Sequence, residues 1–313
     1  MTHPATDSPK PAAGQSFATT IVRGILTALA TLPLGVLYVL ADGCYLVLYH
    51  LVRYRRRLTR RNLTRAYPDK TTHEIKDIER RFYRFFCSYV VETVKLLHIS
   101  DDEIRRRMQF QGMDVVERLR ADGKPLFVML GHYGNWEYVT SITLWTEPGL
   151  DACQVYRPLS SKVMDNLMLD LRARFHSLGI PHKEMLRVLL RRGGEGHQAL
   201  LGLIADQRPL RKHHDVWTTF LRQPTAIITG SERIGRRLDA HFIYADMEVT
   251  RRGHYVLTLK EMIPDPDDPY SISRQYMQLL EQTIDRAPQY YLWTHNRWKF
   301  RPDEQGKPVI NEE

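Results

Sequence analysis

The fold class is indicated most directly by residues Pro125-Leu-Phe-Val-Met-Leu130, which are followed by Gly131-His132-Tyr133-Gly134-Asn135-Trp136-Glu137. Its first part is a short, continuous apolar run, which is typical of a strand buried on both faces of a sheet. A second run of the same kind is Ala199-Leu-Leu-Gly-Leu-Ile-Ala205. Two such runs favour parallel strands in the middle of an α/β sheet.

The rest of the chain alternates between strand-like and helix-like patterns. This alternation predicts an α/β fold with one domain, in which helices flank a central, mostly parallel sheet. Later strands are predicted at 241–249 and 254–259, with a turn at Gly253. Helices are predicted near 71–98, 161–176, 184–192, 225–238 and 271–286.

The N-terminal part of the chain predicts a membrane anchor. Residues 1–20 have a composition typical of disorder, and the run from Gly24 to Val52 exceeds the roughly 20 apolar residues that a spanning helix needs. Six arginines between Arg53 and Arg61 favour the cytoplasmic side and would bind anionic head groups. Because Pro33 and Asp42 interrupt the run, an interfacial helix and a buried hairpin of two core helices remain alternatives.

We therefore divide the chain into a disordered segment 1–20, an anchor with its basic segment 21–61, an α/β domain 62–300 and a tail 301–313. Hydrophobic residues make up 43% and charged residues 26% of the chain, which are ordinary globular values. The net charge of +9 favours an anionic partner without choosing among nucleic acid, membrane, phosphorylated lipid and acidic protein. Three widely spaced cysteines fit neither a disulfide framework nor a zinc site.

A candidate for acid–base chemistry lies directly after the first buried strand. Functional groups in open α/β sheets gather at the carboxyl ends of the strands, and His132 stands there. An imidazole can accept a proton near neutral pH. We expect the Glu137 carboxylate to fold back onto the other ring nitrogen and fix its tautomer. The alternative is a histidine that only caps the following helix.

Further polar residues follow other predicted strands. Arg157, in Tyr156-Arg157-Pro158, is suited to bidentate binding of phosphate. Asp206 and Gln207 directly follow the strand at 199–205, although a surface salt bridge or a turn is the alternative for each. The sequence contains no Walker loop, dinucleotide fingerprint or Gly-x-Ser-x-Gly turn, so His132 predicts direct general-base activation of a substrate hydroxyl. Adjacent side chains diverge, so His213-His214-Asp215 is a poor metal site, and we expect neither metal nor cofactor.

These motifs, in this order, resemble the bacterial lipid A biosynthesis acyltransferases, the lauroyl/myristoyl transferase family of the lysophospholipid acyltransferase superfamily. The resemblance covers roughly residues 24–300. It rests on the string from Gly131 to Glu137, on Tyr156-Arg157-Pro158, on Asp206-Gln207, and on Gln289-Tyr-Tyr-Leu-Trp-Thr-His-Asn-Arg-Trp-Lys299. The family often has Asn-Pro after Arg-Pro, where this chain has Leu159-Ser-Ser-Lys162.

The resemblance implies an acyl-thioester donor, usually acyl carrier protein, and a phosphorylated lipid A precursor as acceptor. His132 would be the general base and Glu137 its orienting acid. The enzyme would sit in the bacterial inner membrane with its catalytic domain on the cytoplasmic side, and nucleic acid would not be a partner. Substrate contacts are expected from Asn135, Arg157, Arg174, Asp206 and Gln207.

Two other interpretations stay open at this point. The same chemistry could serve another membrane acceptor, such as a glycerolipid, an ornithine lipid or a glycolipid. A membrane-tethered protein that only binds nucleic acid or lipid would rest on the charge and on the arginines between Arg53 and Arg61. The second interpretation predicts that His132 is dispensable.

Overall fold

The computed structural model of the protein describes residues 17–210 and 216–310. Its centre is a seven-stranded sheet, in which the strands of the two quoted apolar runs are neighbours. In chain order the strands are β1 Met108–Gln111, β2 Leu126–Leu130, β3 Leu150–Tyr156, β4 Leu178–Pro181, β5 Gln198–Ile204, β6 Trp217–Phe220, β7 Gln223–Ala226, β8 His241–Arg251, β9 His254–Met262, β10 Phe300–Pro302 and β11 Pro308–Ile310.

The order across the sheet is β1-β9-β8-β2-β5-β3-β4. Neighbouring strands are parallel except for the pair β8 and β9, which form an antiparallel hairpin. The expectation of a mostly parallel central sheet is confirmed. All five residues of β2 are buried, which explains why its sequence is apolar throughout.

Helices pack around this sheet. The long helix over 72–95 begins with a capping box between Thr71 and Glu74. The helices are α1 Phe17–Thr31, α2 Leu34–Leu46, α3 Arg56–Ala66, α4 Thr72–Lys95, α5 Asp101–Arg107, α6 Met113–Leu119, α7 Lys162–Ala173, α8 Met185–Gly194, α9 Gly230–Arg237 and α10 Ser271–Arg286.

Two sequence-based predictions need correction. The helix predicted near 225–238 begins only at Gly230, because residues 223–226 form β7 and pair with β6. Leu221 and Arg222 both have positive φ and form the two-residue turn between these strands, which sequence pattern alone does not signal. The predicted tail contains an antiparallel pair, β10 and β11, and residues 311–313 lie outside the described part.

The apolar N-terminal run forms two helices because Pro33 interrupts it. The first ends at Thr31 and the second begins at Leu34, and a π-helical turn continues the second to Val52. The stretch Leu34–Val52 is long and apolar enough to cross a membrane. Residues 17–20 are helical, so the predicted disordered segment is too long at its end, and residues 1–16 lie outside the described part.

The second of these helices rests on α4 along one side only. Leu37 and Ala41 are buried, whereas Val39 and Leu51 are 71% and 76% exposed. Exposed apolar side chains on this scale mark a surface that meets a membrane or another apolar partner. A hairpin buried in the core on all sides, one of the three alternatives, does not fit this exposure.

The arginines that follow this helix largely bind the protein itself. Glu79 on α4 is fully buried, and both of its oxygens accept hydrogen bonds from Arg60 at 2.8 and 2.9 Å. Arg56 adds a third bond to Glu79 at 3.2 Å. Arg55 donates to the backbone oxygen of Thr294 at 3.0 Å. The cluster therefore ties α3 to α4 and to the C-terminal segment.

We expect Glu79→Ala to lower the free energy of unfolding by about 3 kcal/mol, because removing one partner of a buried ion pair leaves the others uncompensated. Chemical unfolding in detergent, followed by circular dichroism, measures the loss. The matched control is Asp77→Asn on the same helix, whose side chain is 41% exposed and pairs with Arg81. It should stay within about 0.5 kcal/mol of the parent protein. Equal, small losses in both variants would contradict the structural role of Glu79.

Candidate active site

The register between β2 and β5 brings two polar residues together. Leu130 is paired with Ile204, the last residue of each strand in the ladder. Two residues further on, His132 and Asp206 therefore lie side by side. The imidazole Nδ1 is 2.6 Å from Asp206 Oδ1, and the backbone N–H of His132 donates to Asp206 Oδ2 at 3.1 Å. This pair joins the two central strands at their carboxyl ends.

The environment of Asp206 favours its charged form. Burial by itself raises the pKa of this carboxyl, which is only 1% exposed, but the charge and hydrogen bonds of His132 outweigh burial and lower it. The Arg297 guanidinium, itself buried, also lowers the pKa of Asp206. A charged Asp206 accepts a hydrogen bond from Nδ1–H, which leaves the lone pair of His132 on Nε2. Gln207 Nε2 lies 3.2 Å from that nitrogen and can donate to it.

The loop around His132 is held by the C-terminal segment. The backbone N–H of Leu292 donates to His132 O at 3.0 Å, and Gly134 N–H donates to Tyr290 O at 3.0 Å. Gly134 has φ of 59°, and a Cβ here would collide with Met247 Sδ. Glycine is therefore needed at this position for both its backbone angle and the close contact.

Glu137 does not orient His132, which corrects the expectation from the sequence. Both ring nitrogens of His132 already face other groups, Asp206 and Gln207. The Glu137 carboxylate, 3% exposed, instead accepts two hydrogen bonds from Arg172 on α7, at 2.7 and 2.9 Å. A buried carboxylate needs a strong partner, and a bidentate guanidinium provides one. Glu137 therefore fixes the end of the loop to α7.

Asn135 is also turned away from the expected substrate position. Its side chain is fully buried; the amide Nδ2 donates to Glu92 at 3.0 Å, and Oδ1 accepts from the backbone N–H of Tyr138 at 3.3 Å. The residue stabilises the turn after His132 from behind. The expected substrate contact is replaced by an internal one, because a buried amide must satisfy both its donor and its acceptor.

The two expected phosphate-binding arginines lie in different places. Arg157 is exposed directly after β3, at the same edge of the sheet as His132 and separated from it by β5. Arg174, at the end of α7, donates to Ile99 O and to Asp101, both at 2.9 Å. Arg157 therefore lies at the carboxyl edge of the sheet, as expected, whereas Arg174 stabilises the start of α5.

Three residues near the site were not singled out from the sequence. Arg172 holds Glu137, and no local motif announces a partner 35 residues away. Burial lowers the pKa of His295 to about 4, so this second imidazole near His132 stays neutral. Arg297 is buried and donates to Ala226 O at 2.6 Å. His295 and Arg297 lie in the block 289–299 on which the family resemblance partly rests, and that block was the sequence signal for them.

An apolar cavity lies next to the site. Trp136 connects the two, because its ring centroid is 5.0 Å from that of His132 and its side chain also lines the cavity. The empty volume is about 610 Å³, part of it open to solvent. Apolar lining residues from β2, β3 and β5 include Val128, Leu130, Ala152, Leu200 and Ile204, and the Glu137–Arg172 ion pair also lines the cavity.

The segment His213-His214-Asp215, which we considered a poor metal site, lies outside the described residues. Within residues 17–210 and 216–310, no three His, Cys, Asp or Glu side chains are grouped as metal ligands. The three cysteines are free thiols; Cys87 and Cys153 are buried and Cys44 is exposed.

Several known proteins and one family model match this chain over most of its length. Curated relatives include the lipid A biosynthesis palmitoleoyltransferase of Escherichia coli (strain K12), 22% identical over 281 residues, covering 89% of this chain and 90% of the relative. The lipid A biosynthesis lauroyltransferase of the same organism is 22% identical, covering 90% of each chain. A lipid A biosynthesis acyltransferase of Haemophilus influenzae is 25% identical, also covering 90% of each. The family model of the bacterial lipid A biosynthesis acyltransferases matches residues 7–300. With its site at the carboxyl edge of the sheet and nearly its whole length matched, the chain belongs to the bacterial lipid A biosynthesis acyltransferase family.

Proposed function

We propose that this acyltransferase moves a fatty acyl chain from acyl carrier protein to a hydroxyl of a lipid A precursor, with His132 as the general base. The observation that carries the proposal is the hydrogen bond between His132 Nδ1 and Asp206, which directs the basic Nε2 away from the carboxylate. The family and the names of the relatives support the reaction type and the acceptor class. The net charge of +9 suits an acidic carrier and a phosphorylated lipid.

The reaction proceeds by direct attack, without an acyl-enzyme. The substrate hydroxyl displaces the Gln207 amide from Nε2 and gives its proton to the imidazole as its oxygen bonds to the thioester carbon. The tetrahedral intermediate then collapses, the C–S bond breaks, and the leaving thiolate takes the proton back from the imidazolium. Asp206 stabilises that imidazolium, and general-base catalysis of this kind contributes about 10²- to 10⁴-fold.

The donor chain and the acceptor occupy different surfaces in this proposal. The acyl chain enters the apolar cavity beside Trp136, since its walls are mainly apolar and it lies next to the base. Arg157, exposed at the same edge, meets a phosphate of the acceptor or of the carrier. The helix Leu34–Val52 anchors the enzyme in the inner membrane and keeps the catalytic domain on its cytoplasmic face.

His132→Ala should reduce the rate of acyl transfer by about 100-fold or more, because the hydroxyl loses its proton acceptor. The measurement uses purified enzyme, acyl carrier protein loaded with a fatty acid, and lipid A precursor, with lysophospholipid as a second acceptor. The protein should remain folded by circular dichroism. Near-normal turnover by a folded variant would refute the mechanism. If the parent enzyme transfers the acyl chain faster to lysophospholipid than to lipid A precursor, the proposed acceptor is wrong.

Asp206→Asn should be more damaging to kcat than Glu137→Gln. The amide at 206 loses the charge that stabilises the imidazolium, and we expect a loss of about 100-fold or more. Glu137→Gln weakens only the contact with Arg172, so a loss of about tenfold through loop displacement is expected. Both kcat values are normalised to folded protein. A larger loss of kcat in Glu137→Gln than in Asp206→Asn would indicate that Glu137, and not Asp206, orients His132.

Gly202→Val should shift the enzyme toward shorter acyl chains. Gly202 lies on β5 and lines the cavity, and a Cβ there meets nothing closer than Cys153 O at 3.6 Å. The added side chain fits the backbone and occupies space that the acyl chain needs. Competition among acyl carrier proteins loaded with different chains, read by mass spectrometry of the product, measures the preference. Gly193→Val, at an open position on α8, is the control and should not change it.

A further inference from the structure

A fully buried carboxylate on α4 joins three separate parts of the protein. Glu92 is 0% exposed, and its oxygens accept hydrogen bonds from Tyr38 at 3.0 Å, Asn135 at 3.0 Å and Tyr255 at 2.6 Å. Tyr38 lies on α2, Asn135 lies in the loop that follows His132, and Tyr255 lies on β9. No two of these donors are close in the sequence.

The partners of Glu92 are unusual for a buried acid. All three are neutral donors, and no lysine or arginine in the described residues forms an ion pair with it; Arg107 acts only at longer range. Burial raises the pKa of Glu92, and the three hydrogen bonds oppose that rise. A buried group that depends on so few partners is sensitive to each of them, because an unmet hydrogen bond inside a protein is costly.

Two of these bonds, those from Tyr38 and Asn135, form a continuous path from the apolar helix to the loop that bears His132. Tyr38 lies within Leu34–Val52, the stretch able to cross a membrane. Glu92 connects its hydroxyl to the amide of Asn135, three residues after His132. At the other end of the side chain, Asn135 Oδ1 accepts a hydrogen bond from the backbone N–H of Tyr138, which stabilises the turn.

We propose that Glu92 is a positioning residue that sets the His132 loop relative to α2, so that the seating of this helix determines the placement of the base. The proposal rests on the proposed catalytic role of His132. Glu92 does not touch the reacting atoms, because it contacts the loop through the buried Asn135 side chain and makes no hydrogen bond to His132. Displacing a catalytic group by about 1 Å can cost 100-fold in rate, so a contact on the far side of the loop can control turnover.

The test compares two variants along this path. Glu92→Gln replaces an acceptor with a group that also donates, so at least one donor loses its partner. It should lower kcat by about 10- to 100-fold and leave KM for both substrates within about twofold. Tyr38→Phe removes one hydroxyl from α2 and should lower kcat by about three- to tenfold without unfolding the protein.

Each variant has a matched control. Glu79→Gln removes another fully buried carboxylate from the same helix, whose partners Arg56 and Arg60 do not reach the loop. Tyr45→Phe removes a hydroxyl from another tyrosine of α2, whose ring lies 5.1 Å from the Arg84 guanidinium and which is not a partner of Glu92. Both controls should keep kcat per folded molecule within about twofold of the parent, even where Glu79→Gln lowers stability.

A second readout reports the loop itself. The rate at which diethyl pyrocarbonate modifies His132, followed by mass spectrometry of its peptide, depends on how the ring is held. Glu92→Gln and Tyr38→Phe should change this rate by at least about threefold, and the controls should not. Should both path variants match their controls in kcat and in His132 reactivity while His132→Ala is inactive, the positioning role is overturned and the catalytic role stands. Full activity of His132→Ala would overturn the catalytic role instead.

Discussion

The hydrogen bond between His132 and Asp206 is the constraint on which the rest of the site depends. It exists because β2 and β5 pair with Leu130 opposite Ile204, so that residues two positions beyond each strand meet. A slip of one residue would turn the Asp206 side chain to the other face of the sheet. The unbroken apolar sequence of β2 does not by itself set this register, because all five of its residues are buried and the pattern marks neither face of the strand.

Buried carboxylates connect separate segments at several places in this protein. Glu79 joins α4 to α3 through two arginines, Glu137 joins the loop to α7, and Glu92 joins the loop to α2. Charges removed from water are costly unless they are paired, so each of these acids fixes the relative position of the segments that it joins. The loop bearing His132 is consequently held by the partners of two such acids as well as by Asp206.

The apolar helix and the site are connected from two sides. On one side Tyr38 contacts Glu92, and on the other the segment that follows α2 contacts the C-terminal block. There, Asn62 on α3 donates to the backbone oxygens of Trp293 and His295 at 2.9 and 3.0 Å. In the proposed reaction His132 must lie at a fixed height above the bilayer, and these two independent contacts would supply such a reference.

Local signals in the sequence were sufficient to predict the class of sheet, several of the helices and the polar residues His132, Asp206 and Gln207 that meet at the candidate site. These signals are continuous apolar runs, helical periodicity and polar groups placed directly after strands. Which acid bonds to His132 depends on the fold, because Glu137 is near in the chain while Asp206 is near in space. The fold also determines that Asn135 points inward to Glu92 and that Arg174 forms an ion pair with Asp101. Such choices depend on strand register and on the pairing of buried charges, and both are settled between segments far apart in the sequence.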